Sequence, residues 1–176
     1  MRQLDGTGLK RLHREWRRRG HGRLALVLDG VQSPFNVGAI VRTAAAYRVD
    51  HVWVTGSTPE LSASTVGKVA LGTERYLTWS ALPKAVDAIT AARALGYQVV
   101  AVELADAAEP LHELSLTDAT CLVLGNEDHG LSANLLAEVD ACAYLPQLGR
   151  VGSLNVATAA ALAVYEVRRR EWKDTT

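Results

Sequence analysis

Apolar, β-branched runs alternate with alanine-rich stretches of helical spacing along most of this chain. That alternation restricts the possible folds more than any other feature. Leu24–Leu28, His51–Thr55, Gln98–Glu103, Thr120–Leu124 and Ala141–Leu145 predict strands. Val37–Tyr47, Leu82–Leu95, Leu131–Val139 and Leu154–Trp172 predict helices, and Ser64–Ala70 a further short one. The strands are apolar nearly throughout, as strands covered on both faces are. Strand–helix alternation of this kind argues for an α/β fold: a mostly parallel sheet with helices on both faces. A chain of 176 residues is long enough to bury a core as one domain.

The composition, 48% hydrophobic and 22% charged, is that of a globular protein. No apolar run approaches the ~18 residues a membrane span needs. Leu24–Leu28 is too short for the core of a signal peptide. These observations predict a cytoplasmic protein without a membrane partner. Cys121 and Cys142 fall inside predicted strands and read as core thiols rather than as a disulfide or metal pair.

Zero net charge conceals an uneven distribution. Residues 1–23 hold eight Lys/Arg against two Asp/Glu (+6), residues 168–176 four against two (+2), and residues 24–167 seven against fifteen (−8). Basic ends on an acidic body suit a polyanion, and equally suit solvated termini. Lys10, Arg11, Arg14, Arg17 and Arg18 follow helical spacing with Leu9, Leu12 and Trp16 beside them, which predicts a basic helix. The chain thus divides into a basic N-terminal helical extension (1–23), an α/β domain (24–167) and a basic C-terminal helix end (168–176).

In parallel α/β sheets, ligands collect beyond the carboxyl ends of the strands. Three polar, glycine-bearing loops lie there. The first runs from Asp29 and Gly30 to Asn36, which is placed at a helix N-cap, with Arg42 six residues on, about 1.7 turns and so off the same face. Its two residues read as a cap with a surface arginine, as groups serving different parts of a ligand, or as a pair whose arginine reaches toward a neighbouring subunit. The second loop packs Asn126, Glu127, Asp128 and His129 between Gly125 and Gly130. Asp128 reads as a helix cap and His129 as a possible proton carrier. No cysteine or histidine stands at ligand spacing from His129, so no metal is expected. The third loop runs from Tyr144 through Pro146, Gly149 and Gly152 to Ser153 and Asn155, which open a helix either as plain caps or as part of an anion- or hydroxyl-binding site. The chain carries neither the Gly-x-Gly-x-x-Gly of dinucleotide folds nor the phosphate loop of NTPases.

In this order, the segments Asn36–Thr43, Leu124–Ser132 and Leu145–Ala157 resemble the three motifs of the SpoU/TrmH branch of the SPOUT RNA 2'-O-ribose methyltransferases, and Lys68–Tyr76 also looks TrmH-like. The resemblance covers residues 24–167. It implies a SPOUT-type α/β fold with a C-terminal deep trefoil knot, S-adenosyl-L-methionine as cofactor, and a homodimer with active sites near the subunit interface. It implies catalytic roles for Arg42, Asn36, Glu127, Ser153 and Asn155. It implies cofactor contacts from Leu104, Gly125, Asn126, Tyr144, Leu145, Gly149, Ser153 and Leu154. Two departures stand near the cofactor: Gln147 where the family often has methionine, and Ala157 where it often has serine.

Methyl transfer to a ribose hydroxyl asks a protein to align two groups and to stabilise a developing alkoxide. A guanidinium suits that work as phosphate clamp and oxyanion stabiliser rather than as proton acceptor. The implied substrate is RNA. The short basic ends resemble the layout of the transfer-RNA enzymes, particularly the one acting on a D-loop guanosine, with ribosomal RNA as the alternative; Lys10, Arg11, Arg14, Arg17 and Arg18 are the candidate RNA contacts. The competing classes are a non-catalytic RNA-binding protein of the same fold and a small-molecule α/β enzyme. The first is disfavoured by the joint presence of the five site residues, the second by the basic ends.

Overall fold

The computed structural model describes residues 2–173, so residues 174–176 of the basic C-terminal end lie outside the described residues. Seven strands form one sheet in the order β3-β2-β1-β6-β4-β7-β5. They are β1 (Arg23–Asp29), β2 (His51–Thr55), β3 (Thr78–Leu82), β4 (Gln98–Val102), β5 (Glu109–Pro110), β6 (Ala119–Leu124) and β7 (Ala141–Tyr144), and every pairing is parallel. The helices are α1 (Gly6–Arg17), α2 (Pro34–Ala46), α3 (Ser64–Ala70), α4 (Ala85–Ala94), α5 (Ala133–Leu136) and α6 (Val156–Lys173).

The period-two alternation of strand side chains divides the core into two layers. Leu24, Leu26 and Leu28 of β1 pack with residues of α2, α3 and α6. Ala25 and Val27 face the other way, toward α4 and α5. Each fully buried leucine contributes about 1.5–3 kcal/mol of transfer free energy, so the continuous apolar strands are what fix the sheet at the centre. The mostly parallel α/β reading of the sequence therefore stands. Cys121 is buried in β6, Cys142 is half-buried in β7, and both are free thiols. No described helix is long and apolar enough to cross a membrane.

Several boundaries differ from the sequence expectation. β3 is an edge strand with most of its side chains partly exposed, so it shows no apolar run. Helix α4 begins at Ala85 rather than Leu82 because Leu82 ends β3 and precedes Pro83, which disfavours helical backbone before it. β5 has only two residues, too few for any pattern. Helix α5 is a single turn, capped by the Ser132 hydroxyl, which accepts from the Leu135 N–H at 3.3 Å. Asp128, expected as a helix cap, accepts no backbone N–H among the described residues; its own N–H donates to Asn126 Oδ1.

The basic C-terminal end is largely occupied within the fold. Arg168 is buried; its guanidinium donates to the carbonyls of Tyr47 (2.9 Å), Arg48 (2.6 Å) and Gly22 (2.7 Å) and pairs with Glu171 at 2.7 Å. Arg169 and Arg170 both pair with Glu166. Arg170 also donates to the carbonyls of Leu111 and Leu114. Helix α6 is thereby tied to the end of α2, to the start of β1 and to the β5–β6 connection.

Candidate active site

The site is built where β1, β4, β6 and β7 end. After β1, the Thr58 hydroxyl donates to the Leu28 carbonyl at 2.9 Å and accepts from the Val31 N–H at 3.0 Å, which sets the path of the first loop. Ser33 and Pro34 then open α2. The N-cap is Ser33, whose hydroxyl accepts from the Asn36 N–H at 3.4 Å; Asn36, expected at that position, sits one turn inside the helix. The proline explains the shift, since its fixed φ and missing N–H suit the first helical position. Its consequence is chemical: the Asn36 side chain is buried and free for other work than capping.

That work is a hydrogen-bond chain across all three loops. Asn36 Nδ2 donates to Glu127 Oε1 at 2.9 Å, and Asn155 Nδ2 donates to Asn36 Oδ1 at 3.0 Å. Glu127 also accepts from the backbone N–H groups of Gln32 (3.1 Å) and Ser33 (3.2 Å). Asn155 Oδ1 accepts from the N–H groups of Ala157 and Thr158, so Asn155 caps α6 and Ser153 stands ahead of it in the loop. Burial alone would raise the Glu127 carboxyl, but the Asn36 amide and the backbone donors outweigh it and hold the group below its ordinary value.

This sign gives a testable pH dependence. A depressed folded-state value means stability that is present above the unfolded value and lost as pH falls through the folded one. Glu127→Gln should cost about 1 kcal/mol at neutral pH, with the gap from wild type shrinking below about pH 4. Urea unfolding at pH 7 and at acid pH measures it; a gap that persists unchanged on acidification contradicts the assignment.

Beside this chain lies a pocket of about 460 Å³. Of the predicted cofactor contacts, Leu104, Gly125, Asn126, Tyr144, Leu145, Ser153 and Leu154 line it, together with Glu127 and Asn155. Gly149 does not; it stands exposed with open space where a side chain would be. Asn36 touches the site only through its bonds to Glu127 and Asn155. The wall is tight at Gly125, where a Cβ would fall 2.5 Å from the Gly130 carbonyl carbon, and Gly130 has φ +62°. Asn126 locks the same turn by donating to the Gly30 carbonyl at 2.7 Å and accepting from the N–H groups of Asp128 and His129. The sequence reading missed Glu103, and Gln147, noted there only as a departure near the cofactor, also lines the pocket. Glu103 accepts from the N–H groups of Leu104 and Leu131, and its place at the carboxyl end of a predicted strand was the signal for it. Apolar walls with polar groups at the margins suit a ligand part flat and apolar, part charged.

Arg42 is elsewhere. Six residues along α2 turn it away from Asn36, and it is exposed, with no hydrogen bond or ion pair among the described residues. It lines a second cleft of about 1050 Å³, with Trp16, Arg17, Arg48, Tyr76 and Tyr165. Helix α1 borders that cleft. Asp5 caps it, and Trp16 meets Trp172 edge-on at 5.0 Å. Lys10, Arg11, Arg14, Arg17 and Arg18 are all exposed. Within one chain, then, the structure gathers Glu127, Asn36, Ser153 and Asn155 and leaves Arg42 apart.

The chain is similar to known proteins over most of its length. It is 33% identical over 150 residues to the tRNA (guanosine(18)-2'-O)-methyltransferase of Escherichia coli K12, covering 84% of this chain and 63% of that one. It is 31% identical over 176 residues to the protein of the same name from Thermus thermophilus, covering 98% of this chain and 88% of that one. An AdoMet-bound rRNA methyltransferase from Sinorhizobium meliloti superposes with a TM-score of 0.79 at 30% identity, covering 86% of this chain and 58% of that one. The chain thus spans less than two thirds of the E. coli and S. meliloti proteins. The model of the SpoU rRNA Methylase family matches residues 23–165. With the three loops in family order and joined in space, the chain belongs to the SpoU rRNA methylase family.

Proposed function

We propose that this protein transfers a methyl group from S-adenosyl-L-methionine to a ribose 2'-hydroxyl of RNA, as a homodimer in the cytoplasm. The observation that carries the reading is the Glu127–Asn36–Asn155 chain, which holds three separate loops around one pocket. The pocket fits the cofactor chemically. Leu104, Tyr144, Leu145 and Leu154 offer apolar surface to an adenosine, and the main chain around Gly125 and Asn126 offers polar contacts. When bound, the sulfonium supplies an already activated methyl group. Glu127 accepts from Asn36 and two backbone N–H groups that favour its ionised form, so it orders the site rather than taking the substrate's proton. Ser153 stands in the wall with its hydroxyl available to a ligand.

The place of Arg42 supports the dimer. An exposed guanidinium outside its own chain's pocket serves the reaction by entering the pocket of a second copy, there to clamp a phosphate and steady the developing alkoxide. The C-terminal trefoil knot belongs to the same reading. It is supported by the likeness of the fold to solved methyltransferases of this family.

The substrate we assign is transfer RNA at a D-loop guanosine, because the Thermus relative matches nearly end to end. Residues 1–23 are a docking extension, with Lys10, Arg11, Arg14, Arg17 and Arg18 toward phosphate. Incubation with labelled donor and with tRNA or ribosomal RNA should put label into an alkali-resistant dinucleotide from tRNA. Label in ribosomal RNA alone would move the substrate, and label in neither would refute the enzyme. Replacing Lys10, Arg11, Arg14, Arg17 and Arg18 by alanine should weaken RNA binding and lower its salt slope by about three to five; an unchanged slope removes α1 and its C-cap from the interface.

A further inference from the structure

Three side-chain amides line the pocket: Asn126, Asn155 and Gln147. The two asparagines have spent their amides on the fold. Asn126 donates to Gly30 and accepts from Asp128 and His129; Asn155 donates to Asn36 and accepts from Ala157 and Thr158. Gln147 differs. Its Oε1 is out of reach of solvent and accepts no hydrogen bond among the described residues. The other such oxygen, Glu74 Oε2, does not line this pocket. A buried acceptor left without a donor costs free energy, and in a binding pocket a ligand donor is the natural partner.

We infer that Gln147 reads the adenine edge of the methyl donor, its carbonyl accepting from the N6 amine and its NH2 group donating to a ring nitrogen. This rests on reading the pocket as the methyl-donor site. An amide presents a donor and an acceptor side by side, which matches the N6 amine and adjacent ring nitrogen of adenine, and the apolar residues that share this pocket favour a flat base over the ribose hydroxyls. The cofactor's ammonium is a cation and is better served by a carboxylate. The exposed Asp128 carboxylate lines the same pocket and accepts no hydrogen bond among the described residues. The carboxylate of the cofactor offers no donor for Oε1 at all. Gln147 also follows Leu145 and Pro146, and apolar Val102, Leu104, Tyr144 and Leu154 share the wall, as a flat base requires.

The test is calorimetric and needs no turnover. S-adenosylhomocysteine is compared with its analogue that carries unsubstituted purine in place of adenine, which lacks the N6 amine and so leaves Oε1 without its donor whichever way the amide turns. Wild type should prefer the adenosyl ligand by about 10- to 100-fold. In Gln147→Met and Gln147→Leu, whose folding is checked by thermal melts, affinity for S-adenosylhomocysteine should fall about 10-fold or more, and the preference should shrink to within about three-fold. Variants that keep the wild-type affinity and preference would overturn the assignment of Gln147 and leave the methyl-donor site intact. Wild type that binds neither ligand would overturn that site as well.

Discussion

Arg42→Ala should lower methyl transfer by about 10²–10³-fold, the loss typical of removing one oxyanion stabiliser, with donor affinity held within about three-fold. The two effects separate because Arg42 lies outside the donor pocket of its own chain and is bonded to nothing among the described residues. For the same reason, the substitution should leave the unfolding midpoint nearly unchanged, since exposed side chains without partners contribute little. Arg42→Lys should restore only a small part of the rate. A lysine supplies charge but not the planar fork that grips a phosphate and an oxygen together. Rates under saturating donor, with calorimetry of S-adenosylhomocysteine, measure both quantities. Equal loss of rate and donor affinity would make Arg42 a structural residue.

The second large effect is on stability. Arg168→Met should destabilise the protein by about 3–5 kcal/mol, the loss usual when one member of a buried ionic cluster is removed. The guanidinium satisfies the carbonyls of Tyr47 and Arg48 at the end of α2 and the Gly22 carbonyl before β1, and it is the buried partner of Glu171. A cation there also complements the negative end of that helix. Arg48 has φ +53°, a conformation costly for a residue that carries a Cβ and held here by the same cluster. Arg168→Lys should recover less than half, because one ammonium cannot reach three carbonyls in different directions. Urea unfolding measures both variants. A loss below about 1 kcal/mol would show that the carbonyls find other partners. Because α2 carries Asn36 and α6 is capped by Asn155, loosening this cluster should also weaken donor binding.

The core of the fold was legible in the residues because buried parallel strands are written as continuous apolar runs. β3 and β5 were not, since a half-exposed edge strand and a two-residue strand have no pattern to read. The loops that carry Asn36, Glu127 and Asn155 were legible, but each residue alone read as readily as a cap or a loop group, and the resemblance singled them out. Their mutual bonds were not legible, because contacts between residues 91 and 119 positions apart depend on strand order, which local sequence does not encode. The N-cap was misplaced by three residues because asparagine is as good a cap as serine, and Pro34 decided between them. Charge was ambiguous at the C-terminus: the basic end suited a polyanion or a solvated terminus, yet Arg168, Arg169 and Arg170 are each engaged inside the chain. Gln147 could be seen as a departure from the family pattern, but its unsatisfied carbonyl is visible only in three dimensions.

The claim at the centre is that one copy's donor pocket works with the other copy's arginine. Arg42→Ala keeps its pocket, and Ser153→Trp, which fills the pocket from its exposed wall, keeps its arginine. Each should be inactive alone. Unfolded together and refolded at equal concentrations, they should recover about a quarter of wild-type activity, since half the dimers are mixed and each mixed dimer holds one complete site. A mixture as inactive as its components, with mixed dimers demonstrated by mass, would contradict the account.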